Sequence, residues 1–359
     1  MAIHQSSHEA NHAIPEELLA GLDPEWVTLW NEHGRKQLRA DEVSIENYRK
    51  DSQAYSFTFP TYTGPAVFHE EEMNVQVSKP AGVVKVRVYT PEGPGPFPVH
   101  LNYHGGGWVL GGLNSEAAWC RSVCNKLGIK IIDVDYRMAP EYPFPTAIYD
   151  SWEVVKWALS SASKLNIKAD SVSIGGLSAG GHMSAVMSHM ARDDGVHLKL
   201  ALMVVPSVDL RWSIAEEPIR SQVRSEYPSV DMVSNNPWGP EKRMDWFMSY
   251  WIPKNTAIRA AACDDWHASP ILAPSFASLP RTHIVTAEYD LSRDESHKYG
   301  EILKAHGNDV SMKCYKGMPH AFGHYNHPTR GLKQSWQFIE DTCAVIQDAH
   351  GLGSVGAVL

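Results

Sequence analysis

No stretch of this 359-residue chain is long and apolar enough to cross a bilayer. The N-terminus, MAIHQSSHEANHAIPEELL, has no basic segment followed by an apolar core of the kind that directs secretion. A cytoplasmic protein without a membrane span is the expectation. Basic residues are in the minority, 32 Lys and Arg against 41 Asp and Glu, and no basic cluster offsets the formal net charge of −9. Nucleic acid and anionic membrane both demand a basic face, so neither is expected as a partner. Cysteine is scarce, scattered and odd in number at five, which excludes a disulfide framework. Cys120 and Cys124 would share one helix face, yet no His or second Cys pair completes a metal site, so they read as buried reduced thiols. The 18 histidines contain no His-Glu-x-x-His, and neither a metal nor a cofactor is expected. Low-complexity tracts and internal repeats are absent too, which leaves an ordinary globular composition with enough chain to bury a core.

What is present is a rhythm. Residues 1–62 read as helical, with Asp23-Pro24-Glu25 as a helix start and Trp26, Leu29, Trp30 and His33 recurring at helical spacing. From Asn74, NVQVS and VVKVRVY alternate apolar and polar residues around Lys79-Pro80-Ala81-Gly82, a β-hairpin pattern. Short apolar strand candidates follow at 99–103, 129–134, 171–174, 200–205, 283–287 and 310–315. Helical segments at about 115–127, 146–160, 180–192, 294–306 and 331–346 fill most of the gaps. Such alternation predicts an α/β fold, a mainly parallel eight-stranded sheet with helices on both faces. Residues 209–267 break the rhythm: they are rich in Trp, Met and Pro and hold no clear strand. The expected organisation is therefore a core of residues 63–208 and 268–359, with 1–62 and 209–267 forming a helical cap where open sheets bind ligands.

The strongest local signal is Gly176-Leu177-Ser178-Ala179-Gly180, directly after an apolar strand and before a helix-forming run. A sharp strand-to-helix turn needs glycine on either side of its apex, because the backbones approach too closely for a Cβ. The apical serine then exposes its hydroxyl at a helix N-terminus. Upstream, His104-Gly105-Gly106-Gly107-Trp108 follows the strand at 99–103. Backbone free of side chains lets N–H groups reach an oxyanion, so Gly105 and Gly106 are expected to supply two donors and Ala179 a third. A phosphate-cradling loop is the rival reading, but no Gly-Lys-Ser/Thr follows. A nucleophilic serine needs a base and an orienting acid, each just past a later strand. Asp290 follows the strand at 283–287 and His320 follows the strand at 310–315, in the required order, and Asp294 is the alternative acid.

With these elements in hand, the chain resembles the hormone-sensitive-lipase family of α/β-hydrolases over roughly residues 83–322. The resemblance rests on HGGGW at 104–108, DYRMAPEYPFPTA at 135–147, GLSAGG at 176–181, SPILAP at 269–274, AEYDLSRDE at 287–295 and MPHAF at 318–322. It implies the α/β-hydrolase fold, a helical cap and cofactor-free ester hydrolysis with Ser178, Asp290 and His320 as the triad. Two positions depart from the family's pattern. Leu177 stands where an aspartate is usual, so a carboxylate near the turn is missing, and Asp290-Leu291-Ser292 lacks the usual proline.

The expected substrate is a small to medium carboxylic ester. A lactone, amide or carbamate would use the same residues, and a receptor that kept the fold but lost the chemistry is the alternative of a different class. Trp108 and Leu177 are expected to border the substrate pocket, with two or three of Trp26, Trp30, Trp212, Trp238, Trp246, Phe247 and Trp251 touching substrate. His182 and His324 read as helix-surface or loop histidines. Arg137, Glu141 and Asp150 read as charge-assisted bonds holding a loop near the glycine run. Oligomeric state stays open, a homodimer included.

Overall fold

The structure is a computed structural model, described over residues 10–55 and 62–353. Eight strands form one sheet: β1 (His69–Ser78), β2 (Ala81–Thr90), β3 (Phe97–Tyr103), β4 (Lys130–Asp135), β5 (Ile167–Leu177), β6 (Leu200–Val204), β7 (Thr282–Tyr289) and β8 (Val310–Pro319). Their order is β1-β2-β4-β3-β5-β6-β7-β8. The hairpin β1–β2 and the β2–β4 pair are antiparallel, and every later pair is parallel. Period-two alternation in the hairpin buries Val75, Val77, Val84, Val86 and Val88 while polar neighbours stay out. Every residue of β3 is buried instead, because helices cover both faces of the sheet's centre. Those helices include Ala117–Leu127, Thr146–Ser160, Ala179–Asp193, Arg293–Ala305 and Lys333–Ala349, with ends that fall within three residues of the expected segments.

Strand order positions the site. β4 lies on one side of β3 and β5 on the other, so the chain reverses its direction of winding at β3, and a crevice opens there beyond the strands' carboxyl ends. Pairing of Tyr103 with Gly176 sets the glycine loop beside Ser178. At the other end of the crevice Tyr289 pairs with Pro319, so the residues that follow, Asp290 and His320, emerge side by side.

The N-terminal segment is less regular than its spacing predicts. Asp23 does cap a helix, Pro24–Leu29, accepting the N–H of Glu25 at 2.8 Å, and Trp30–Gly34 continues it as a π turn. Beyond it are only short pieces, Ala40–Glu42, Ile45–Lys50 and Ser52–Tyr55; residues 56–61 of the expected helical stretch lie outside the described residues. The apolar face at Trp26 and Trp30 is nonetheless used: both rings are buried, with centroids 5.5 and 6.0 Å from that of Trp238 in the 209–267 segment. Burying a large apolar side chain contributes about 1.5–3 kcal/mol, so this contact ties the two irregular segments together. The 209–267 segment carries helices but no strand. No described helix is long and apolar enough to cross a membrane.

Candidate active site

β5 ends at Leu177, the helix Ala179–Asp193 starts at Ala179, and Ser178 makes the turn alone with φ 58° and ψ −111°. That left-handed backbone is costly for a residue with a side chain, on the order of 1–3 kcal/mol. It is held by Ser178 N–H donating to Val204 O at 2.8 Å and His182 N–H donating to Ser178 O at 2.9 Å. The flanking glycines are obligatory: a Cβ on Gly176 or Gly180 would lie 2.3 or 1.8 Å from Tyr103 O.

The exposed hydroxyl meets a histidine and then an acid. His320 Nε2 lies 2.8 Å from Ser178 Oγ, and His320 Nδ1 lies 2.8 Å from Asp290 Oδ2. A carboxylate only accepts, so Nδ1 carries the proton and Nε2 faces the serine as an acceptor. Asp290 is only 3% exposed, and its Oδ1 accepts the N–H of Ser292 at 3.1 Å. Asp294, the alternative acid, is engaged elsewhere, by Arg293 and by the N–H of Ser229 at 2.7 Å. Beneath Asp290 a second carboxyl, Glu295, is fully buried; burial, reinforced by Asp209 and to a lesser degree Asp290, holds its pKa well above the usual range.

The glycine loop differs from expectation in one respect. The N–H of Gly105 donates to Glu116 Oε1 at 3.2 Å, so it points into the protein rather than toward an oxyanion. The expectation of Gly105 as a donor is corrected: the next N–H groups along the loop are those of Gly106 and Gly107. Gly107 has φ +60°, and a Cβ there would lie 2.4 Å from the ring of Phe247. Glu116 also corrects the reading of Leu177. Leu177 is buried and apolar, but a Cβ on Gly105 would sit 3.0 Å from Leu177 Cδ2 and 3.6 Å from Glu116 Oε1, so a carboxylate from another element occupies the neighbourhood of the turn.

A cavity of about 670 Å³ opens over Ser178 and His320, lined among others by Asn102, Gly106, Trp108, Glu116, Trp238 and Phe247. A family model described as the alpha/beta hydrolase fold matches residues 100–324. The chain belongs to the α/β-hydrolase family. Its resemblance to the hormone-sensitive-lipase branch, drawn above from motifs, stands with it. This α/β-hydrolase is 32% identical to the carboxylic ester hydrolase LipN of Mycobacterium tuberculosis over 72% of its own length and 66% of LipN. It is 30% identical to an AB hydrolase superfamily protein, C1039.03, of Schizosaccharomyces pombe, over 83% of this chain and 86% of that one. Among solved structures it is similar to a hyperthermophilic esterase from the archaeon Pyrobaculum calidifontis, with 26% identity, a TM-score of 0.78, and coverage of 91% and 98% of the two chains.

Other residues singled out in the sequence take the following places in the α/β-hydrolase. Arg137 grips Asp150 at 2.6 and 2.9 Å, and Arg49, which pairs with Glu141 at 2.6 Å, donates to Ala139 O at 2.8 Å. Trp108 and Leu177 line the cavity, as do Trp30, Trp238 and Phe247, whereas Trp26, Trp212 and Trp251 are buried among neighbours. Trp108 stacks on Trp251 with centroids 3.8 Å apart, so its ring is packing as well as wall. His182 is not a surface residue. It is fully buried, accepts from Trp108 Nε1 at 3.3 Å, and burial pushes its pKa down to about 3. His324 is no free loop histidine either, since its Nε2 donates to Glu116 Oε1 at 2.8 Å. Glu116, Asn102 and Arg243, all cavity-lining, carry no motif or periodicity that marks them in the sequence.

Proposed function

We propose that this α/β-hydrolase cleaves carboxylic esters of small to medium size through an acyl-enzyme on Ser178. The unbroken hydrogen-bonded line from Ser178 through His320 to Asp290 carries this reading. The names of LipN and of the Pyrobaculum structure support the substrate class. As the serine oxygen attacks the ester carbonyl, His320 Nε2 takes its proton while Asp290 holds Nδ1–H and stabilises the imidazolium. The carbonyl oxygen becomes an oxyanion that the N–H groups of Gly106, Gly107 and Ala179 receive; one such donor contributes on the order of 3 kcal/mol. His320 then hands its proton to the leaving alcohol. A water molecule repeats the sequence, losing a proton to His320 and releasing the acid and free Ser178.

The N-terminal segment and residues 209–267 form the cap in this reading, since Trp30, Trp238 and Phe247 from them line the cavity over Ser178. Exclusion of bulk water under such a roof strengthens each charge interaction beneath it. Five unpaired cysteines suit a reducing compartment, the cytosol.

The test is turnover of p-nitrophenyl esters of increasing acyl length beside Ser178→Ala. Rapid turnover of short and medium chains, reduced by roughly a thousandfold or more in the variant, is the expected result. Folded wild-type protein that turns over none of them would overturn the esterase reading.

A further inference from the structure

Three arginines line the cavity: Arg39, Arg49 and Arg243. Two are neutralised. Arg39 is held by Asp41 at 3.0 Å and Glu42 at 2.9 Å, and Arg49 by Glu141 at 2.6 Å. The third has no such partner: among the described residues no carboxylate lies within ion-pair distance of Arg243. Glu241, two residues before it on the helix Glu241–Trp251, is taken up by Arg220 at 3.2 Å and Arg224 at 2.5 Å. The cavity's own carboxylates are committed as well, Glu116 to His324 and Asp290 to His320.

The guanidinium is nonetheless fixed in place. Arg243 Nη1 donates to Trp238 O at 3.0 Å, its Cζ lies 5.6 Å from the centroid of the Phe247 ring, and its Nε is buried without an acceptor. Arg243 and Phe247 are four residues apart on one helix face, and the Phe247 ring packs on Gly107 of the glycine loop. One aromatic ring therefore separates an uncompensated cation from the loop beside Ser178. A half-buried guanidinium with unused donors favours a planar anion, and a carboxylate matches its fork.

We propose that Arg243 is a specificity-determining residue that receives a carboxylate of the substrate, so that this cavity takes esters bearing a free acid group. The proposal rests on the ester-hydrolase reading for the site beneath it. The aromatic walls hold the body of the ester, and the charge of Arg243 rewards substrates whose acid group reaches across Phe247.

Two matched ester pairs test it: mono-p-nitrophenyl adipate against p-nitrophenyl hexanoate, and 4-acetoxybenzoate against its methyl ester. They place the anion on the acyl and the alcohol side respectively. In Arg243→Gln the anionic-to-neutral ratio of kcat/KM should fall on the order of tenfold to a hundredfold for at least one pair, mainly through KM. Arg243→Lys should retain part of it, and added salt should narrow the gap between wild type and Arg243→Gln. An unchanged ratio in both pairs would overturn the proposal. A second measurement does not depend on turnover: titration calorimetry of the same anionic esters with Ser178→Ala and with Ser178→Ala/Arg243→Gln. Affinity at least tenfold weaker in the double variant supports the anion site even if no ester is hydrolysed, in which case the esterase reading alone fails. Equal affinities overturn the anion site while leaving the esterase reading standing.

Discussion

Glu116 and His324, 208 residues apart in the chain, share a 2.8 Å hydrogen bond beneath the glycine loop. The same carboxylate oxygen accepts the N–H of Gly105, so one buried side chain joins the loop after β3 to the turn that follows His320. Neither residue is needed for the proposed proton transfers, yet both fix where the donors and the base stand relative to each other. Glu116→Gln should therefore lower kcat on the order of tenfold with little change in KM, and His324→Ala should act in the same direction. Inhibition by a trifluoromethyl ketone, which forms an oxyanion on the serine, should weaken in parallel. Loss of thermal stability without that parallel would mark the pair as merely structural.

The position before the serine yields a prediction against the family pattern. Leu177 is 5% exposed and shares its surroundings with Glu116. Restoring the family's usual aspartate would bury a second carboxylate beside the first. Leu177→Asp should destabilise the fold by about 3 kcal/mol or more in urea unfolding, and part of that loss should be recovered when Glu116→Gln is added. Simple additivity of the two substitutions would refute the like-charge explanation.

Asp290 and Asp294 are separated by their partners rather than by their chemistry. Asp290→Asn removes the acceptor that holds His320 Nδ1–H, and kcat on any ester turned over should fall by roughly 10³–10⁴. Asp294→Asn loosens the contact to Ser229 instead, so its main effect should be on unfolding free energy. The reverse pattern in kcat would transfer the acid's role to Asp294.

Glycine at 180 should be irreplaceable on steric grounds alone. In Gly180→Ala the new methyl would meet Tyr103 O at 1.8 Å, a backbone atom of the central strand β3 that cannot rotate away. The expectation is a protein that fails to fold or loses more than about 3 kcal/mol, read by chemical denaturation. A near-wild-type variant would mean that the turn can be rebuilt.

Acid should unfold the protein partly through histidines other than His320. Burial pushes His100 and His182 down to about 3, and His189, His283 and His350 down to about 4. Unfolded, each would take a proton near the ordinary pKa of about 6.5. Between those values the unfolded state binds more protons, so stability falls as pH drops from about 6.5 toward 4, by about 1.4 kcal/mol per pH unit for each histidine. His189 bonds the hydroxyl of Tyr299 at 2.8 Å, a contact glutamine can keep. His189→Gln should take up about one proton fewer on unfolding at pH 5, measured from the pH dependence of the unfolding free energy.

Periodicity and local chemistry alone determined the eight strands, the helices between them, and the residues at the tips of β3, β5, β7 and β8. Each of these signals is local: alternation reports a half-buried strand, and a glycine-flanked serine reports a tight turn. Once the strand order is known, Tyr103 beside Gly176 and Tyr289 beside Pro319 bring the tips together. The roles of Gly105, Glu116 and His324 were not legible, because nothing within a few residues of each records its partner. Gly105 faces inward only because Glu116 comes from a different element, and His324 is tied down by a residue 208 positions away. Arg243 is distinctive for the carboxylates that fail to reach it, and that too is a property of packing. Hydrogen-bond partners and uncompensated charge depend on which surfaces meet, and only the tertiary structure decides that.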